Sequence, residues 1–366
     1  MMNVLFVGGK FDLNGGRPSG LVTKFAKALE PYVVLKVHNG GDFSHLEQLL
    51  SSSPNFDVIL WWPDVPKDLP RLRDVKSVAP HSILVSSKNN LGVPASDGTY
   101  YAPYSAAGLV AKALAIKANL TVVFEGSDGH PPYCMKLMDP LGNVHSDTTF
   151  DVNELAVALV RRLNFLNALT RVQSRPTGES ATLPPDDPEF FQAVRRAAED
   201  FHRLLDPGSD VQRLLGNASF RCANGFPAMR KGGDIFVSKR NVDKRDISRE
   251  SFVQVYSSKT LLYYDGDHKP SVDAPIQARL FEAFPRINYM LHGHVYIPDC
   301  YVHSRMTSLA FPCGALEELL EIIPMLKPDC EFAGINLRGH GCLIMASEVR
   351  SLRRLDFKAR PVYERV

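Results

Sequence analysis

The sequence contains no apolar run long enough to cross a bilayer, which argues against a membrane-spanning protein. It has no C-x-x-C pair among its six cysteines. In a chain of this length that excludes a dense disulfide framework and points to reduced thiols in a cytoplasmic setting. It has almost no net charge, +2 over 366 residues, so no bulk field draws it to nucleic acid or to an acidic membrane surface. The first residues lack a basic n-region and run straight into an apolar strand pattern, which is not how a signal peptide reads. There is no internal repeat, and the 26 prolines are dispersed rather than gathered into a low-complexity tract. What remains is a chain with 45% hydrophobic and 22% charged residues, ordinary for a globular protein and long enough for two domains.

The strongest local signal is Ile287-Asn288-Tyr289-Met290-Leu291-His292-Gly293-His294-Val295. It reads as a buried strand ending in two histidines. Residues i and i+2 of a strand share a face, so His292 and His294 can present two imidazoles to one side of a sheet. A third candidate lies in Phe332 to Ile344, an apolar strand pattern interrupted by Gly339-His340-Gly341. Three neutral imidazoles with an open fourth position suit a catalytic zinc ion or another divalent metal. The alternative is a set of hydrogen-bonded core histidines.

The first half alternates strand and helix patterns. Asn3 to Gly8 reads as a strand, and Leu21 to Leu29 has helical periodicity. Tyr32–Val37 and Phe56–Trp62 read as strands around a helix at Phe43–Ser51, and Ser82–Ser86 and Leu120–Phe124 as strands around a helix at Ser105–Ala118. A long helix at Val152–Val172 closes the series. Such alternation implies a parallel sheet covered on both faces, a Rossmann- or flavodoxin-like α/β domain over residues 1–174. The glycine-rich stretch Gly8–Gly20 leaves a strand and enters a helix, with Lys10, Arg17 and Ser19 beside it. That places a nucleotide or other anion within reach of free N–H groups, although the stretch matches neither G-x-G-x-x-G nor a P-loop. The equal alternative is a tight turn with no ligand. Arg175 to Asp187 is proline-rich, polar and without period, which predicts a linker at 175–187. A second domain is expected at 188–366, opening on an amphipathic helix from Pro188 to Leu205.

Five pieces then follow in order. They are Leu214-Leu215-Gly216-Asn217-Ala218-Ser219, Gly233-Asp234-Ile235-Phe236-Val237-Ser238-Lys239-Arg240, Lys269-Pro270-Ser271-Val272-Asp273, His292-Gly293-His294, and Arg338-Gly339-His340-Gly341. In this order and spacing they resemble the class II aldolase/adducin family, which includes sugar-phosphate aldolases and pentulose-phosphate 4-epimerases. The resemblance covers roughly 188–350. It implies an α/β/α domain around a mainly antiparallel sheet, a divalent metal, and a homotetramer with active sites at subunit interfaces. It further implies that His292, His294 and His340 are the metal ligands. Asp273 stands at the position of the family's acid/base glutamate. Gly216, Asn217, Ser238 and Ser271 match phosphate-binding positions.

Departures from the family pattern bear on the substrate. Val272 replaces a serine, Gln277 stands where many members carry a histidine, and Cys313 falls near the place of one branch's catalytic tyrosine. Lys239 and Arg240 replace a small pair and could recognise a phosphate or simply belong to a solvated loop. The expected activity is metal-dependent aldol cleavage or epimerisation of a small, phosphorylated sugar through an enediolate. The alternatives are a dehydratase or decarboxylase on the same domain, or a non-catalytic adducin-like assembly protein.

Overall fold

The computed structural model describes residues 1–11, 20–52, 55–63, 65–80, 82–90, 93–94, 100–101, 104–105, 108–110, 113, 116–127, 130–149, 151–170, 172–204, 216–222, 235–258, 261–298, 305–353, 355–361 and 364–366. The chain forms two compact units: Met1–Ala168 with Val362–Arg365, and Leu169–Pro361 with Val366.

The first unit holds a seven-stranded sheet. Its strands are β1 (Asn3–Val7), β2 (Val34–His38), β3 (Val58–Trp61), β4 (Ile83–Asn90), β5 (Leu120–Ser127), β6 (His130–Met138) and β7 (Val144–Thr149). The spatial order is β2-β1-β3-β4-β5-β6-β7. The first five are mutually parallel, while β6 and β7 are added antiparallel at one edge. Helices α1 (Gly20–Leu29), α2 (Phe43–Ser52), α3 (Val65–Val78) and α4 (Val152–Ala168) accompany them.

Val4 to Val7 of β1, all of β3 and the first half of β4 are buried residue after residue, as a sheet covered on both faces requires. The parallel core therefore follows the strand–helix alternation. The antiparallel pair departs from it, and its signal is the turn Asp139-Pro140-Leu141-Gly142-Asn143. There the Asp139 carboxylate accepts the N–H groups of Leu141 (2.9 Å) and Asn143 (3.1 Å). Residues Ser86 to Asn89 lie inside β4, paired with Thr121 to Phe124. Of the helix expected at 105–118, residues 108–110 and 113 are helical, while Ser105 precedes the helix and 116–118 have already left it, with 116–117 in a turn; the others lie outside the described residues. The candidate anion loop is described only in part, because 12–19, including Arg17 and Ser19, lie outside the described residues.

The second unit holds a nine-stranded sheet. Its strands are β8 (Gln173–Pro176), β9 (Asn217–Arg221), β10 (Ile235–Ser238), β11 (Phe252–Ser257), β12 (Leu261–Tyr264), β13 (Tyr289–Gly293), β14 (Arg305–Met306), β15 (Phe332–Leu337) and β16 (Gly341–Ala346). The order is β8-β12-β11-β10-β9-β13-β16-β15-β14, and the seven central strands pair antiparallel.

The expected linker begins inside this sheet. Arg175 and Pro176 pair in parallel with Tyr263 and Tyr264, and the division between units falls after Ala168. Proline is tolerated there because β8 is an edge strand. At the other end, Val144 donates its N–H to the Glu364 carbonyl at 2.8 Å, which joins the chain's last residues to the first unit.

Helix α5 (Pro188–Leu204) carries Phe190, Phe191, Val194, Ala197 and Phe201 along one buried stripe. Its start is fixed by Asp187, whose carboxylate accepts the Phe190 N–H at 3.0 Å. That stripe packs with Phe220, Phe236, Phe252 and Leu291. The other face of the sheet, with Val237, Val253, Met290, Ile335 and Met345, packs against α6 (Ala274–Ala283) and α7 (Leu319–Ile322). Alternate residues of β13 thus enter opposite cores, Met290 one and Leu291 the other. The layering is helix, antiparallel sheet, helix, as the resemblance implied. Among the described residues no helix is long and apolar enough to cross a membrane.

Candidate metal centre

The three histidines converge because three backbones approach closely. β13 pairs with β9 so that His292 faces Asn217, and with β16 so that Gly293 faces Cys342. The stretch read as an interrupted strand is a hairpin, with Arg338 to His340 forming the turn between β15 and β16. A Cβ on Gly341, where φ is +149°, would lie 2.0 Å from the Gly293 carbonyl oxygen. A Cβ on Gly293 would lie 2.5 Å from Phe201 Cζ. Glycine at these two positions is what lets the histidine-bearing segments meet.

His292, His294 and His340 are 3%, 5% and 1% exposed. Their candidate donor nitrogens all lie within 4.8 Å of one another, and their ring centroids are 4.7 to 5.2 Å apart. His292 Nδ1 donates to the Cys342 carbonyl at 2.9 Å. That fixes the tautomer and leaves Nε2 as an acceptor, and this buried atom has no hydrogen-bond partner. Such an orphan costs about 1–3 kcal/mol unless an ion accepts its lone pair. Burial first, and then the field of His340, push His292 down to about 4, so it is a neutral ligand at pH 7. The residues therefore fit a divalent metal, as a histidine donor set suits zinc.

Asp273 approaches from the N-terminus of α6. It is 8% exposed, and its carboxylate makes no capping bond to that helix, so the ordinary role of an aspartate there is not the one it fills. Instead Oδ1 accepts the Gly314 N–H at 2.8 Å and Oδ2 accepts Asn217 Nδ2 at 3.1 Å. Oδ2 also lies 3.9 Å from His292 Nε2. Asn217 Nδ2 donates in addition to Ser271 Oγ at 3.0 Å, and Asn217 Oδ1 accepts from Gln277. A cavity of about 10 Å3 is lined by Asp273, Gln277, His292, Glu318, His340 and neighbouring apolar side chains, a volume for roughly one water-sized particle.

Asn217, Ser271 and Asp273 are thus brought together with His292. Gly216, at φ +97°, turns the chain beneath the His292 carbonyl, which a Cβ would approach to 2.4 Å. Ser238 is fully buried, and its Oγ accepts the Ala218 N–H at 3.1 Å. Lys239 is half-buried and bridges Pro270, while Arg240 is exposed and donates its N–H to the Lys269 carbonyl at 2.9 Å. Both cations start beside the Ser271 turn.

Glu318 and Lys244, not singled out from the sequence, and Cys313, named there as a departure from the family pattern, also belong here. Glu318, 2% exposed, places Oε1 3.6 Å from His340 Nδ1. Burial holds its carboxyl above the ordinary range, against the pull of His340. Cys313 Sγ lies 3.2 Å from His340 Nε2. Burial opposes a proton on His340, but Cys313 and Glu318 outweigh it and hold the imidazole well above its usual value. Lys244 is 8% exposed, is pushed down to about 8 by burial, and has a field that reaches His292. Glu318 sits in Leu316-Glu317-Glu318-Leu319, where nothing local separates it from Glu317. Lys244 opens the run Lys244-Arg245-Asp246, which reads as an ordinary solvated turn.

Residues 199–306 match the family model described as Class II Aldolase and Adducin N-terminal domain. The C-terminal half of the chain therefore contains a class II aldolase/adducin domain. No curated protein matches the chain. Among solved structures it is similar to a sugar-phosphate aldolase from Thermotoga maritima, at 14% identity and TM-score 0.31, covering 44% of this chain and 90% of that one. It is similar to an L-fuculose-1-phosphate aldolase from Thermus thermophilus, at 16% identity and TM-score 0.30, covering 45% and 90%. It is also similar to the N-terminal class II aldolase domain of a conserved protein from Thermoplasma acidophilum, at 14% identity and TM-score 0.32, covering 49% and 92%.

Proposed function

We propose that the C-terminal unit is a zinc-dependent lyase or epimerase acting on a small, phosphorylated sugar. The observation that carries this reading is the buried triad His292, His294 and His340, in which His292 Nε2 lacks a hydrogen-bond partner. The family match over 199–306 supports it. When bound, the ion supplies Lewis acidity toward a substrate carbonyl and its neighbouring hydroxyl.

The chain's own residues do the rest. Asp273 moves the proton at the substrate atom beside the ion. Its Oδ1 is tied to Gly314 while Oδ2 points toward His292, so the carboxylate is held in one orientation. Asn217 keeps that orientation through Nδ2 and is itself held by Gln277. Gly216, Asn217 and Ser271 lie where the far end of a substrate would meet N–H and hydroxyl groups. Lys239 and Arg240, beside Ser271, supply positive charge for a phosphate, and Ser238 supports the turn from behind.

In the first unit, the strand order β2-β1-β3-β4-β5 is that of flavodoxin-like sheets. An anion or nucleotide near the 8–20 loop remains part of the proposal, to be checked by thermal shift with anionic ligands.

The test of the main reading is metal analysis of the full chain, followed by a screen of ketose phosphates for aldehyde release or epimerisation. About one divalent ion per chain is expected, lost on His294→Ala with the fold retained. Stoichiometric metal in that variant, or none in the reconstituted wild type, overturns it.

A further inference from the structure

The proposed triad leaves one position of a tetrahedral ion open, and a cysteine stands beside one of the three ligands. Cys313 Sγ is 3.2 Å from His340 Nε2. Two ligands on one tetrahedral zinc, with Zn–N near 2.0 Å and Zn–S near 2.3 Å, lie about 3.5 Å apart. The observed separation falls close to that figure. His340 Nε2 is the nitrogen on the Cys313 side, while Nδ1 faces the Glu318 carboxyl at 3.6 Å, beyond hydrogen-bond distance.

The two metal-capable groups among the described residues, His292 with His294 and His340, and Asp273 with Cys313 and His340, share His340, which is therefore the one link between the thiol and the triad. Independently of the cysteine, Nε2 of His292, on a residue 3% exposed, has no hydrogen-bond partner and lies 3.9 Å from Asp273 Oδ2.

The loop that carries Cys313 is fixed from the same side. The Gly314 N–H donates to Asp273 Oδ1 at 2.8 Å. Gly314 adopts φ +78°, and a Cβ there would meet Val272 Cγ1 at 2.9 Å and the Val272 carbonyl oxygen at 3.0 Å. The thiol is thus held against the Asp273 turn rather than carried there by a free segment.

We infer that Cys313 is a fourth ligand of the ion held by His292, His294 and His340, so that the site rests closed and a substrate oxygen must displace the sulfur. On coordination the Sγ–H bond breaks, the proton passes to solvent, and the sulfur donates an electron pair to the cation, with no change in oxidation state. On displacement the thiolate recovers a proton from solvent. A sulfur donor also biases the site toward zinc or cobalt over magnesium or calcium, which prefer oxygen. This rests on the metal reading above.

Cobalt(II) distinguishes the two claims without any substrate. The full chain is stripped of metal, reconstituted with cobalt(II), and its absorption recorded for wild type, Cys313→Ser and Cys313→Ala. The expected result is a sulfur-to-cobalt charge-transfer band in the near ultraviolet of the wild type. That band is lost in both variants, while the visible ligand-field bands persist in at least one of them. Zinc is also expected to slow alkylation of Cys313 by iodoacetamide at least tenfold, read by peptide mass spectrometry, without slowing that of Cys134. Ligand-field bands without a charge-transfer band in the wild type overturn this inference and leave the metal reading standing. A wild type that binds no cobalt overturns both.

Discussion

Replacing Glu318 by glutamine separates what the buried carboxylate would do for the proposed metal site from what it does for the fold. The side chain keeps its length and volume and loses its charge. In the structure Oε1 lies 3.6 Å from His340 Nδ1, and the two side chains are 2% and 1% exposed. At an effective dielectric near 20, a full charge pair at that distance is worth about 4–5 kcal/mol. Taking the carboxylate out of water offsets much of this. What survives is the range found when outer partners of metal-bound histidines are removed, roughly 10- to 100-fold in affinity, or about 1.4 to 2.8 kcal/mol.

The metal-free fold should respond in the opposite sense. Burial already holds the Glu318 carboxyl above its ordinary range, so an uncharged amide relieves a cost. The assay is zinc competition against a chromogenic chelator, run beside thermal unfolding of the metal-free protein. The expected outcome is a 10- to 100-fold weaker zinc site with a melting temperature equal to or above that of wild type. An affinity within twofold of wild type refutes the reasoning and makes Glu318 a passive core residue.

Asp273→Asn should retain the metal and lose most turnover, because an amide can keep the Gly314 and Asn217 contacts only in part and cannot carry a proton; metal content measured beside kcat checks it. In the metal-free protein, His292 sits at about 4 against about 6.5 unfolded. The unfolded chain therefore binds more protons between these values, and stability falls as pH drops from 6.5 toward 4, by up to about 3 kcal/mol from this group. Urea unfolding of wild type and His292→Asn at pH 7.0 and 4.5 should show the variant losing less, and an equal loss in both sinks the assignment. Gly293→Ala places a Cβ 2.5 Å from Phe201 Cζ, with that ring 7% exposed, and should cost about 1–3 kcal/mol. It should also weaken the metal site through displacement of His292 and His294, read in the same unfolding and competition assays.

The features legible in the sequence are those that a period or a glycine announces. His292 and His294 flank Gly293 at the end of an apolar strand, and His340 lies between two glycines, so both the shared face and the close approach are readable. The α5 stripe is readable for the same reason. The β6–β7 hairpin is not, although Asp139-Pro140-Leu141-Gly142-Asn143 carries turn chemistry. The alternation around it sets a parallel expectation. The boundary at 174 differs from the division after Ala168 because a short polar stretch ending in Pro176 does not look like a strand. Only pairing with Leu261 to Tyr264 makes it one.

Asp273 shows why the chemistry of a site is less legible than its ligands. One residue before a helix, an aspartate has an ordinary reason to be there, and the sequence offers no way to see that it declines the cap. The deciding contact comes from Gly314, 41 positions away in the chain. That glycine can reach the carboxylate because its φ of +78° lets the loop pass within contact distance of Val272. The same loop sets Cys313 against His340, and the segment just after it sets Glu318 against the other side of that imidazole. A single tertiary approach, of residues 311–318 onto the turn 271–274 and His340, therefore positions Asp273, Glu318 and Cys313 together. None of the three can be read from its own neighbours, because the constraint that places them is shared.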